Sequence, residues 1–172
     1  NDEEIGKYLA LGLNADYDRE IQFSPKDLVL IGGRRGAGKS LTCANIAHSV
    51  FEGGKSAMYF TIEMDSRSIL QRVCSIATGV PFSRLRTKNL SVLEWELVAE
   101  WWTNRFKDSQ DKLKEYKEHR DFEKFHHNLT TTCELLPTQQ VDVIYDPALT
   151  LAKIKAEMDK KVKALNVAVV LV

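Results

Sequence analysis

At 172 residues, 44% of them hydrophobic, the chain is one ordinary domain with enough apolar material for a sizeable core. Lys plus Arg and Asp plus Glu both number 24, so the net charge is zero and there is no global basic footprint; any polyanion site has to be local. Three scattered cysteines (Cys43, Cys74, Cys133) without a C-x-x-C pair argue against a disulfide framework or zinc site and fit a reducing cytosol. No apolar run approaches the ~20 residues of a membrane span, and Asn1-Asp2-Glu3-Glu4 has the wrong charge to open a signal peptide.

Residues 1–20 are polar with scattered apolar positions (Ile5, Tyr8, Leu9), which predicts a linker or short entry helix. Ser24-Pro25-Lys26-Asp27 reads as a turn. The apolar run Leu28-Val29-Leu30-Ile31 is then expected to be a strand, followed by Gly33-Arg34-Arg35-Gly36-Ala37-Gly38-Lys39-Ser40 and a helix from Lys39 to Phe51. That loop is G-x-x-x-x-G-K-S in the strand–loop–helix setting such a phosphate-binding motif requires. Its glycines let backbone N–H groups curl inward around phosphate oxygens, and the helix N-terminus adds partial positive charge at the same place. Lys39 is expected to reach the β- and γ-phosphates, and the Ser40 hydroxyl to take one position on Mg²⁺. Residues Gly33 through Ser40, with Leu41 behind them, are the expected ligands of a nucleoside triphosphate.

In the helix after the loop, Cys43, Ile46, Ala47 and Val50 share one face, and Gly53-Gly54 stops it. Ala57 to Ile62 is a second strand, ending at Glu63. Asp65 or Ser66 caps a helix with Ile69, Leu70, Val73, Ile76 and Ala77 inward. Ser91-Val92-Leu93-Glu94 is a capping box that opens a helix carrying Trp95, Val98, Ala99 and Trp102. From Arg105 to Lys124 acids and bases interleave, with Asp108–Lys112 and Lys114–Glu118 four apart, so a solvated helix or helical hairpin is the economical reading. A nucleic-acid patch would show a basic stripe instead. His119, His126 and His127 lack the companions of a metal site. Val141 to Tyr145 is a further strand, ending at Asp146-Pro147; Thr150 caps a helix with Leu151, Ile154, Met158, Val162 and Leu165 on one side. Val167 to Val172 is the bare apolar run of a doubly covered parallel strand. The expected fold is thus α/β, a mostly parallel sheet with helices on both faces.

Open parallel sheets hold ligands at the carboxyl ends of their strands, where both the phosphate loop and Glu63 fall. Glu63 is therefore the candidate catalytic base, orienting and deprotonating a water that attacks the γ-phosphate, with Lys39 as its catalytic partner; the bland alternative makes Glu63 a helix-capping acid. The Walker B aspartate, which holds Mg²⁺, is either Asp146 or whatever follows Val172, and the longer apolar run favours the second. On that reading the sequence stops inside the domain, and this stretch alone would bind Mg²⁺-nucleotide poorly and hydrolyse little.

These residues resemble the motor domain of DnaB-type replicative helicases, a RecA-like fold. Ser24 to Ile31 resembles the family's "PGDLIII" strand, Gly33 to Ser40 its phosphate loop, and Asn45-Ile46-Ala47 its "NIA". Tyr59-Phe60-Thr61-Ile62-Glu63-Met64 resembles "FFSLEM", whose Glu is the family's catalytic base. Gln71-Arg72 resembles a "QR" pair whose Arg lies near bound nucleotide, which adds Arg72 to the expected site. Leu85-Arg86-Thr87 and Trp95-Glu96 echo the next segment, Tyr145 to Thr150 resembles "IDDTPGLT", and Val167 to Val172 resembles the strand before "DYLQ". The similarity spans about residues 21–102 and 143–172. Residues 103–140 look like a charged helical insertion, Arg35 stands where bacterial members often have Pro, and the family's "TGF…LD…GGL" lead-in is not evident. These departures point toward a divergent member of the kind phages carry.

The resemblance implies an ATP- and Mg²⁺-dependent motor that moves along single-stranded DNA and unwinds duplex. It also implies a homo-hexamer with nucleotide between subunits, primase and helicase loader as partners, no membrane attachment and a cytoplasmic location. The alternatives are a RecA- or clock-type ring or filament ATPase without unwinding, a P-loop small-molecule kinase, and a non-catalytic sensor.

Overall fold

The computed structural model describes residues 9–24 and 27–172. The first eight residues of the linker or entry helix expected over 1–20, and Pro25-Lys26 at the centre of the expected turn, therefore lie outside the described residues. The turn's flanks are described: the Ser24 N–H donates to the Asp27 carboxylate at 2.8 Å, and the Asp27 N–H donates back to the Ser24 carbonyl at 3.0 Å. Before it, Leu9 and Phe23 form an antiparallel bridge around α1 (Ala15–Glu20), whose first N–H groups donate to the Asn14 side chain.

The phosphate-loop helix α2 (Lys39–Glu52) ends at Gly53, and Gly54 takes φ +78°, so the double glycine stops the helix as its sequence predicts. Three residues later begins β1 (Ser56–Thr61), buried along its whole length. Next come α3 (Ser66–Thr78), α4 (Phe82–Thr87) and α5 (Val92–Thr103). They are followed by the pair α6 (Gln110–His119) and α7 (Phe122–Thr132), then β2 (Val141–Tyr145), α8 (Leu151–Lys161) and β3 (Val167–Leu171). The sheet is parallel in the order β2-β1-β3. A central strand in such a sheet has to be apolar on both faces. Met58 and Phe60, fully buried, face one side; Ala57 and Tyr59 face the other, where they share a core with Ile46, Ala47 and Val50 of α2 and Ile69 and Val73 of α3.

One expected strand does not form. Among the described residues Leu28 to Ile31 makes no sheet pairing, and Leu28 and Leu30 are 98% and 94% exposed; of the four, Ile31 packs against the core. The outer edges of β2 and β3 stay open among the described residues, so the run's exposure is not for want of a ladder to join.

The 103–140 segment is a helical hairpin with its own small core of Phe106, Leu113, Tyr116, Phe125 and Leu129 closing on Ala99 of α5. Phe106 and Leu135 form an antiparallel bridge at its neck. The expected Asp108–Lys112 and Lys114–Glu118 pairs do not form among the described residues. Asp108 sits outside α6 at φ +46°; Lys112 pairs with its neighbour Asp111 at 3.3 Å, while Lys117 reaches Glu100 of α5 at 3.1 Å and Arg120 reaches Glu96.

Candidate functional site

Geometry puts the loop at the carboxyl end of the sheet. α2 has 14 residues, about 21 Å at 1.5 Å per residue, and β1 has six, about 20 Å at 3.3 Å per residue. Joined by a short turn, the two run antiparallel, so the start of α2 lies level with the end of β1. Glu63, Asp146 and the end of β3 share that edge, because all three strands run the same way.

The start of α2 is shaped for an anion. Gly38 occupies the N-cap position at φ +93° with no side chain to accept a helix N–H, and the first turn carries no acid. Its leading N–H groups are therefore uncapped, in a helix long enough for a full end-dipole. Gly36 is also left-handed, at φ +78°, so any side chain at either position would strain the turn. The loop's own hydrogen bond, Ala37 N–H to the Arg34 carbonyl at 3.1 Å, closes it. The Lys39 ammonium folds back over it, donating to the carbonyls of Gly33 at 2.7 Å and Arg34 at 3.0 Å. Arg34, Arg35 and Ala37 are exposed, Ser40 is half-buried and Leu41 is half-exposed. Such a loop, cationic, uncapped and open, has the donor set a nucleotide's phosphates require, and the Ser40 hydroxyl beside Lys39 is of the right chemistry for a Mg²⁺ ligand.

Glu63 stands two residues past β1, exposed, in a corner fastened by Thr61. The buried Thr61 hydroxyl donates to the Met64 carbonyl at 2.9 Å and accepts the Met64 N–H at 3.2 Å. In the sequence Thr61 reads only as a strand residue, although Ser and Thr are the residues that fold a chain back in this way. The capping of α3 falls to Asp65, which accepts the Ser68 N–H at 2.7 Å. Glu63 is thus not used as the cap.

Asp146 is differently placed. Its carboxylate accepts the Ala148 N–H at 2.8 Å and the Lys153 ammonium at 2.7 Å; the Lys153 bond first, then the Ala148 N–H, hold it below the usual carboxylate range. Arg72 sits on α3 with its guanidinium carbon 5.0 Å above the Phe82 ring and its Nε buried without a partner. It also lies near Tyr59, whose pKa burial, and secondarily Cys43, push up to about 12, while Arg72 pulls the other way. Among the described residues Arg72 makes no hydrogen bond with the phosphate loop. No described helix is long and apolar enough to cross a membrane.

The sequence of residues 14–116 matches the model of the DnaB-like helicase C-terminal domain family. Similar proteins include a probable replicative DNA helicase of Guillardia theta, 33% identical over 79 residues, which are 45% of this chain and 13% of that one. The replicative DNA helicase DnaB of a Nostoc species is 29% identical over 78 residues, 45% of this chain and 9% of that one. The DnaB of Buchnera aphidicola is 27% identical over 93 residues, 51% of this chain and 20% of that one. The chain therefore spans only a small part of the length of these relatives.

Proposed function

The chain belongs to the DnaB-like helicase C-terminal domain family, and on that footing we propose that residues 21–172 form part of a RecA-like ATPase motor of a replicative DNA helicase. The observation that carries the reading is the uncapped, cationic start of α2, on the same edge of the sheet as a carboxylate, Glu63, that no helix uses as a cap. Gly33 to Leu41 would hold the phosphates of ATP, Ser40 the Mg²⁺, and Arg72 the neighbourhood of the nucleotide. Bound ATP supplies the phosphoanhydride, and Mg²⁺ neutralises charge on it. The chain's own share is to bind, orient and move one proton: Lys39 trades the Gly33 and Arg34 carbonyls for phosphate oxygens, and Glu63 takes the proton of the attacking water.

Asp146, already held by Lys153 and the Ala148 N–H, supports placing the Mg²⁺-holding aspartate after the β3 run. Single-stranded DNA as track, a homo-hexamer, a primase and a loader as partners, and the cytoplasm as location are parts of the same proposal. So is the status of residues 103–140 as an insertion and of residues 1–20 as an entry segment. Strand displacement on a forked duplex by the intact protein is the test. ATP-dependent displacement is expected; DNA-stimulated ATP hydrolysis without displacement would favour a ring or filament ATPase, and a phosphorylated small molecule would favour a kinase.

A further inference from the structure

A cavity lies away from the phosphate loop, between α3, α4, α5 and the 103–140 hairpin. At about 620 Å³ it is the size of a small-molecule site. Its walls are aromatic, with Trp95, Trp102, Phe106 and Phe122, and one polar residue among them is anomalous. Arg105 is 4% exposed. Its guanidinium carbon lies 5.1 Å from the Trp101 ring and 4.9 Å from the Trp102 ring, two indoles that stand at 85° to each other. Ring faces compensate some of the charge but do not satisfy the N–H donors in the guanidinium plane. The Nε is buried with no hydrogen-bond partner among the described residues. No carboxylate offsets the burial, which lowers the Arg105 pKa to about 10; the one other group acting on it is the Cys74 thiol.

A buried cation without an acid is costly to keep, and the two indoles offset only part of that cost. The rest of the lining leaves a positive surplus. Lys88 and Glu123 pair with each other, and Arg67 adds an exposed cation at the edge. His126, edge-on to Trp102 at 4.5 Å, has its pKa lowered by burial first and by Arg67 next, so it adds no charge at neutral pH.

We propose that this cavity binds a small organic anion, a flat apolar body stacked among Trp95, Trp102 and Phe122 with one carboxylate, sulfonate or phosphate group paired to Arg105. A nucleic-acid strand suits the segment less, because residues 103–140 carry seven bases and seven acids with no basic stripe. The site is separate from the nucleotide reading and shares no residue with the phosphate loop.

Two probes of one shape test it: anilinonaphthalene sulfonate and its neutral counterpart, phenylnaphthylamine. All three tryptophans of the chain line the cavity or contact Arg105, so intrinsic fluorescence reports occupancy without a label. The sulfonate is expected to saturate one site and to bind about tenfold or more tighter than the neutral probe, as a charge-assisted hydrogen bond provides. Arg105→Met should bring that ratio to about one, whereas Trp95→Ala, which leaves the Arg105 contacts in place, should weaken both probes and keep the ratio. Equal binding of the two probes to the unmodified chain would overturn the proposal without recourse to any variant. So would a preference that survives Arg105→Met, or displacement of the sulfonate by ATP.

Discussion

Replacing Thr61 by Val keeps the shape of the side chain and removes the hydroxyl that folds the Glu63 corner. The two bonds at stake, to the carbonyl and N–H of Met64 at 2.9 and 3.2 Å, are each worth ~0.5–1.5 kcal/mol net, so the substitution should cost about 2 kcal/mol. For a domain of this size that is a fall in Tm of roughly 4–8 °C. Thr61→Ser, which keeps the hydroxyl and loses one buried methyl, should cost only about 0.8 kcal/mol. Hydrophobicity alone ranks the two the other way, because Thr61 is 8% exposed and Val is the better core residue. Urea unfolding of the chain, followed by circular dichroism, separates the two orders. A Val variant as stable as the unmodified chain, or more stable than the Ser variant, would refute the role given to the hydroxyl. In the intact protein, Thr61→Val should lower kcat while leaving ATP affinity within a few-fold, since the corner carries Glu63 and not the phosphate loop.

Lys39→Ala should abolish detectable ATP binding or turnover in the intact protein, as a fluorescent ATP analogue would report, because it removes the one ammonium folded over the loop. Gly12→Ala should destabilise the chain by about 2 kcal/mol or more: the residue sits at φ +71°, and a Cβ there would lie 2.2 Å from the Ser49 Oγ. Adding Ser49→Gly should return part of that loss, and urea midpoints of the double-mutant cycle measure the coupling. Asp146 has a depressed pKa in the folded state, so its contribution is present above the unfolded value of about 3.9 and is lost as pH falls through the folded value. Urea midpoints of Asp146→Asn should therefore fall below those of the unmodified chain near neutral pH, and the gap should close below about pH 4.

What could be read from the sequence was what neighbours along the chain decide. The capping box is an example: Ser91 and Glu94 exchange both bonds, at 2.7 and 3.2 Å. The Gly53-Gly54 stop, the Asp65 cap and the Thr150 cap are others. The same holds for the loop, whose left-handed glycines and uncapped helix follow from eight consecutive residues. Contacts between distant segments were not legible. Leu28 to Ile31 has the composition of a strand, but a strand forms only when it docks on a partner, and composition is silent about partners. Leu151 has the spacing of a buried helical face yet is 85% exposed, and no residue of α8 is buried. Arg105 reads as one charge in a solvated run, but the Trp101-Trp102 pair just before it draws the side chain inside. The local signal was the indole pair itself, since adjacent aromatics four and three residues before an arginine on a helix end can reach its guanidinium.

The most direct measurement is ATP hydrolysis by the intact protein with and without single-stranded DNA, beside its Glu63→Gln variant. DNA-stimulated turnover is expected, falling by ~10²-fold or more in the variant, as loss of a positioned general base does, with ATP affinity kept. Turnover indifferent to DNA and unchanged by the substitution would contradict the motor reading.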